Sequence, residues 1–333
     1  MQANLVLNFL DIAIIAAYFV GVFALAIFIT NRGKFKSSDE YFLAGRNIGW
    51  FLVGASLFAT NIGSEHLIGL AGTGASSGVA VAQFEILACF ILLLLGWFFV
   101  PFYIRTSVAT MPEFLEMRYS KAARKYLTFI SIIAYVLVKI SVAIYAGAIV
   151  FESIGVPFWI GGFAVVAITG LYTIMGGLRA VIYTDAMQMF VMLIGALAIT
   201  FFGISKLGGF GAVQQNLSPV YYTMWENPDF PWTGILFGAP ILGVWYWCTD
   251  QVVVQRTLSA LNIQEARRGS IFAGYLKILP LFIFVFPGMI CMALANAGHF
   301  ELVKKDLALP TLAANVLPVG FKGFFIAGLL AAL

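Results

Sequence analysis

An amide, a hydroxyl, a carboxylate and an imidazole fall within six residues of one another, at Asn61, Ser64, Glu65 and His66. They interrupt an apolar stretch: ATNIGSEHLIGL, residues 59–70, lies between WFLVGASLF and AGTGASSGVAVAQF. Groups of these types can coordinate a cation, hydrogen-bond a solute rich in hydroxyls, or move a proton. An intramembrane enzyme built on Glu65 and His66 is the weakest of these readings. Neighbours on a helix point about 100° apart. No H-E-x-x-H motif is present, and the second histidine, His299, lies outside the apolar spans.

Two more ionisable residues sit in apolar surroundings, Glu85 in AVAQFEILACF and Lys277 in FAGYLKILPLF. A buried charge needs a partner, so this carboxylate and ammonium are expected to meet each other or a polar ligand. Function outweighs a purely structural pair there. Asp185 and Asp250 fall towards span ends, where a helix cap or an ion pair with Arg179 or Arg256 reads at least as well as a solute role. For Lys139, a structural partner and a function stay equally open. Asp11 lies near the end of the first span and reads as solvated.

The elements that must carry these groups are membrane helices. The 333 residues are 62% hydrophobic and only 10% charged. A soluble domain carries about 25% charged residues, so lipid is the expected solvent. Apolar runs near the ~20 residues a bilayer requires occur at roughly 5–29, 50–74, 79–103, 126–151, 158–176, 180–205, 232–255, 269–296 and 318–333. The first run has no Lys or Arg before it and is too long for a signal peptide core. The chain stops at AGLLAAL inside the ninth run, which reads as the N-terminal part of a longer protein. Cys89, Cys248 and Cys291 all lie in apolar runs without metal-ligand spacing and read as small buried hydrophobes.

Basic residues set the orientation. Arg32, Lys34, Lys36, Arg46, Arg105, Arg118, Lys121, Arg124, Lys125, Arg179, Arg256, Arg267 and Arg268 fall in odd-numbered loops, against Lys206, Lys304 and Lys305 in even ones. Odd loops are therefore expected in the cytoplasm and the N-terminus outside. The net charge of +4 is spread over loops, which argues for membrane orientation and against nucleic-acid binding.

Two spans read as broken helices. The second holds Gly54, Gly63, Gly69, Gly72 and Gly74 around its polar middle; the seventh holds Gly238, Pro240 and Gly243 ahead of Trp245-Tyr246-Trp247. Glycine and proline weaken the helical ladder, and unwound backbone at membrane depth survives only where it lines a cavity. The two are five spans apart, an odd number, so they cross in opposite senses. That is the pattern of an inverted repeat with a midplane site.

At these residues the chain resembles a known family. DEYFLAGRNIGW, then GASLFATNIGSEHLIGLAGTGASSGVAVAQFE, MPEFLEMRYS, YTIMGGLRAVIYTDAMQ, WYWCTDQVVVQRTLSALN and GYLKILPLF follow the order of the sodium:solute symporter family, and are most similar to its sodium/glucose branch. The resemblance, from about residue 39 onward, implies an all-α, LeuT-like inverted-repeat fold of about nine spans: an extra helix at 5–29, a first repeat at 50–205 and a partial second repeat at 232–333. It implies a sodium site of backbone carbonyls at Ala59, Ile62 and Ala332, completed by hydroxyls beyond Leu333. It implies a sugar site of Asn61, His66, Glu85 and Lys277, with Tyr246 as the inner gate and Trp247 beside it. Asp185 and Glu65 are candidates for an ion pathway.

Some positions depart from the family. Glu65 stands where mammalian glucose carriers have glycine, Phe84 where a bacterial galactose carrier has tyrosine, and Gly243 lacks a sugar-contacting side chain. Lys139 has Ala143 four residues on, where glucose carriers have an acid, so its family partner is missing. The expected function is sodium-coupled symport of a glucose- or galactose-like sugar across the plasma membrane by alternating access. The expected partners are sugar, sodium and lipid, with no other cofactor. The rivals are another solute of the same family (myo-inositol, sialic acid, an amino acid) and a channel.

Overall fold

The computed structural model describes residues 6–31, 37–63 and 65–331, and every named regular element among them is a helix. Helix α1 is Phe9–Asn31. The second apolar run divides into α2, Trp50–Asn61, and α3, 65–77. Then come α4 at 78–106 and α5 at 121–153. The run Phe158–Leu207 is two helices, α6 at 158–176 and α7 at 178–207, separated at Gly177 (φ 55°, ψ −165°). A side chain there would be strained by that φ, and its Cβ would lie 2.7 Å from the Tyr41 carbonyl. Further along lie α8, Gly234–Thr249; α9, Gln251–Leu258; α10, Ile263–Asn296; and α11, Phe321–Ala331, and shorter helices occur at Ser38–Phe42, Met111–Arg118, Phe210–Gln215 and Ala308–Val316.

Five stretches of the described residues are long and apolar enough to cross a membrane: Phe9–Asn31, His66–Thr106, Lys121–Glu152, Thr173–Leu207 and Ile263–Asn296. Helices α2, α8 and α11 are shorter and also apolar. The chain is thus a multi-pass membrane protein. Its loops sort into two ends. At one end Arg46 donates to the Ser107 carbonyl, the Met111 N–H donates to Gln251, and Gln255 donates to the Phe42 carbonyl. At the other, Ser77 donates to Asp229, Asn296 donates to the Asn216 carbonyl, and Lys206 donates to the Asn315 carbonyl. This is the alternation that the spans require.

Helices α2 and α8–α9 lie side by side and antiparallel. Asn61, at the end of α2, meets Tyr246, while Ile48, just before α2, exchanges backbone hydrogen bonds with Ser259 and Leu261 beyond α9. Helix α2 also packs closely on α10. A Cβ on Gly54 would lie 2.6 Å from the Gly269 carbonyl, so only glycine allows this crossing. Glu265 of α10 accepts the Trp50 N–H at 2.7 Å and caps the start of α2.

Two expectations are corrected. The seventh span is not broken at Gly238–Gly243. The helix runs through these residues, widened into π turns at 234–238 and 245–249, and ends at Thr249, where Asp250 is extended (φ −68°, ψ 129°). Pro240 sits in the first turn of the segment Ala239–Val244, just past the first widened turn, where its missing N–H disturbs the ladder least. Asp11 is not solvated. It is fully buried, because α11 folds back against α1 and its first backbone N–H groups point at the carboxylate.

Candidate functional site

Each break in a helix leaves backbone groups outside the ladder. At the first, α2 ends at Asn61 and Ile62 is extended (φ −77°, ψ 97°), its N–H still donating to the Phe58 carbonyl. The His66 N–H donates to the Gly63 carbonyl at 3.0 Å, so the Ile62 carbonyl does not receive it. The carbonyls of the last turn of α2, Ala59 among them, lie where the helix stops supplying donors. Ala332 lies outside the described residues, as does the Glu65 side chain.

On the other side of the break a cavity of about 480 Å³ is lined by Asn61, His66, Glu85, Tyr246, Trp247 and Lys277, together with apolar residues that include Leu87, Ile91 and Gly243. Helix junctions place the two charges. Glu85 lies on α4, just past the point where its 3-10 turn at 78–81 gives way to the α-helical segment Ala82–Leu94. Lys277 follows the last residue of the α10 segment Ile263–Leu276, at the turn inside α10. His66 and Tyr246 sit on widened π turns, 65–70 and 245–249.

These side chains form one buried network. Lys277 is 1% exposed, pairs with Glu85, donates to Asn61 Oδ1 at 2.5 Å and approaches His66 Nε2 at 3.3 Å. His66 Nε2 is also 3.3 Å from Glu85 Oε1. Asn61 Nδ2 donates to the Tyr246 hydroxyl at 3.1 Å, and the Lys277 ammonium lies 5.6 Å over the Trp247 ring. Glu85 and Lys277 meet, as their burial required. His66 Nδ1 is buried without a hydrogen-bond partner among the described residues. An unpaired buried ring nitrogen costs roughly 1–3 kcal/mol, and a hydroxyl satisfies it in either tautomer, since it can donate or accept.

A second cavity, about 440 Å³, is lined by Ala59, Thr60, Asp185, Gln188, Gln255 and Arg256 among others. Consecutive residues of one helical turn therefore face different chambers: Ala59 and Thr60 this one, Asn61 the other. Asp185 accepts from Ser56 at 2.5 Å and Thr60 at 3.2 Å, and lies 4.0 Å from Arg256. Of the two arginines left open by the sequence, Arg256 is the partner. Ser56 and Thr60 went unnoticed in the sequence because a hydroxyl inside a helix commonly bonds its own backbone and gives no signal. Asp250 caps α9 by accepting the Val252 N–H at 2.9 Å, and its ion pair is with Lys139 of α5 at 2.8 Å, not with an arginine. Lys139 thus has a partner from another helix where the sequence showed none nearby.

The comparisons agree with this architecture. The sodium:solute symporter family profile matches residues 41–333. Sodium/glucose cotransporter 4 of Danio rerio is 40% identical over the whole chain, and sodium/myo-inositol cotransporter 2 of Bos taurus 42% identical over 97% of it. The chain spans about half the length of these relatives, 56% and 53%. Among solved structures, a Na+-coupled sialic acid symporter in a substrate-bound outward-open state aligns with a TM-score of 0.89 at 22% identity, over 98% of this chain and 71% of that one. The fold is the LeuT-like inverted-repeat fold with an additional first helix, and the chain belongs to the sodium:solute symporter family.

Proposed function

We propose that the full-length protein containing this chain couples sodium to the uptake of a hexose-like sugar by alternating access. The observation that carries this reading is the buried Asn61–His66–Glu85–Lys277 network, charge-balanced and facing a cavity, with His66 Nδ1 left unpaired. A polyol entering the cavity meets donors, acceptors and an amphoteric nitrogen, and the Tyr246 and Trp247 rings offer flat faces to its C–H groups. Sodium is a hard cation and prefers several oxygens in place of its hydration shell. The carbonyls of Ala59 and Ile62, at the break, meet that preference, and Asp185 with Ser56 and Thr60 lies on the neighbouring chamber as an ion route.

Coupling follows if sodium favours the conformer that holds sugar, and by linkage sugar then raises sodium affinity by the same factor. A membrane potential adds about 2.3 kcal/mol per charge per 100 mV. The gathering of basic loops at one end supports a cytoplasmic placement of that end and an external N-terminus in the plasma membrane.

Proteoliposomes holding the full-length protein test this. Labelled glucose or galactose should accumulate with a sodium gradient and fail to do so when choline replaces sodium. Equal uptake in choline defeats the coupling. The similarity to a myo-inositol carrier favours one alternative substrate. Competition by myo-inositol stronger than by either hexose would replace the sugar assignment.

A further inference from the structure

Asp11 is 0% exposed, yet among the described residues it accepts from three backbone N–H groups. Oδ2 accepts from Asn8 at 3.0 Å, at the start of its own helix. Oδ1 accepts from Gly320 at 2.8 Å and Gly323 at 2.9 Å, which stand at the start of α11. A carboxylate at a helix N-terminus is held by the free N–H groups and the dipole together, and in a low-dielectric surrounding that hold is firm. Both glycines are shaped to the contact. Gly320 has φ 89°, and a Cβ on Gly323 would lie 2.7 Å from the Asp11 carbonyl oxygen.

The same helix is fixed laterally. Gly195 of α7 and Gly328 of α11 bring the two backbones together, each Cβ position lying 3.0 Å from a Cα of the opposite helix. Phe325, Ile326 and Leu329 of α11 share one buried apolar cluster with Phe58 and Ile62, the residues at the first break. Apolar packing is non-directional, whereas the two-pronged hydrogen bond at the helix end is directional. Asp11 adds a directional tie at the start of α11 to this packing.

We infer that Asp11, on the helix outside the inverted repeat, is a positioning residue for the cation site: it fixes α11, whose Phe325, Ile326 and Leu329 share a buried cluster with Phe58 and Ile62 at the break. This rests on the sodium site proposed above, to which α11 leads in sequence at Ala332.

The test uses Asp11→Asn in the full-length protein, with uptake normalised to protein in the membrane. The sodium concentration for half-maximal uptake should rise roughly tenfold, the order of one charge-assisted hydrogen bond. The half-saturating sugar concentration, measured at saturating sodium, should move less than about twofold, because the sugar network lies on other helices. Gly323→Ala approaches the same contact from the other side and should shift sodium activation in the same direction. If either variant is retained inside the cell, the sodium-dependent rise in Tm of the purified protein replaces uptake, and should need more sodium. Unchanged sodium dependence in both variants overturns the inference. So does an equal loss of sodium and sugar affinity, which marks general loosening. Sodium-independent uptake by the unaltered protein overturns the coupling itself, and is distinguishable because it needs no variant.

Discussion

The two helix breaks solve the same problem by different means. At the first, between α2 and α3, the backbone caps itself: Ile62 N–H donates to Phe58, and the Gly63 carbonyl receives the N–H groups of His66 and Leu67. Its side chains are left over for other work, and Asn61 and His66 reach into the cavity. At the second, between α8 and α9, a side chain does the capping. Asp250 accepts the Val252 N–H and the Lys139 ammonium, so its carboxylate is occupied by structure. A break whose backbone closes on itself can present polar side chains to a ligand; a break held by a side chain uses that side chain up.

The contrast is most exposed at the ion pair beside the first break. Glu85→Gln leaves Lys277, 1% exposed, without its counter-charge. Losing one partner of a buried pair costs about 3–5 kcal/mol. Sugar uptake should fall below detection, and the purified protein should unfold at a clearly lower temperature. The double variant Glu85→Gln with Lys277→Met should regain much of the lost Tm without regaining uptake. Recovery of uptake would mean that these charges serve the fold alone.

A smaller effect is expected at the second break, and it should be lopsided. The Lys139 side chain is 35% exposed and that of Asp250 1%. Lys139→Met leaves a buried carboxylate without its counter-charge, at roughly 1–3 kcal/mol. Asp250→Asn keeps a good cap and removes the counter-charge from an ammonium that is partly exposed, at about 0.5–1 kcal/mol. Thermal unfolding of the two purified variants ranks them. The reverse order would show that the cap, not the ion pair, holds this break.

The smallest effect belongs where the sequence placed the second break. Pro240→Ala should lower stability by about 0.4–1 kcal/mol through the freer unfolded chain, with uptake kinetics unchanged. A several-fold change in uptake would move the functional break back to Gly238–Gly243.

Much of this protein was legible from local composition. A carboxylate and an ammonium in apolar runs had to find partners, and Glu85 and Lys277 found each other. The first break was legible because glycines and polar side chains coincide there. The second misled because glycine and proline mark where a helix can yield, whereas π turns let it run on through them.

The sequence by itself determined the solvent, the helices and the residues that could not remain alone in lipid, because each of these depends on the composition of a single segment. Only the tertiary structure decided who meets whom. It gave Asp250 to Lys139, chose Arg256 over Arg179 for Asp185, and turned Asp11 from a residue at a wet helix end into a buried clasp on α11. Those partners lie far apart along the chain, and a charge carries no local sign of which distant helix end will fold against it.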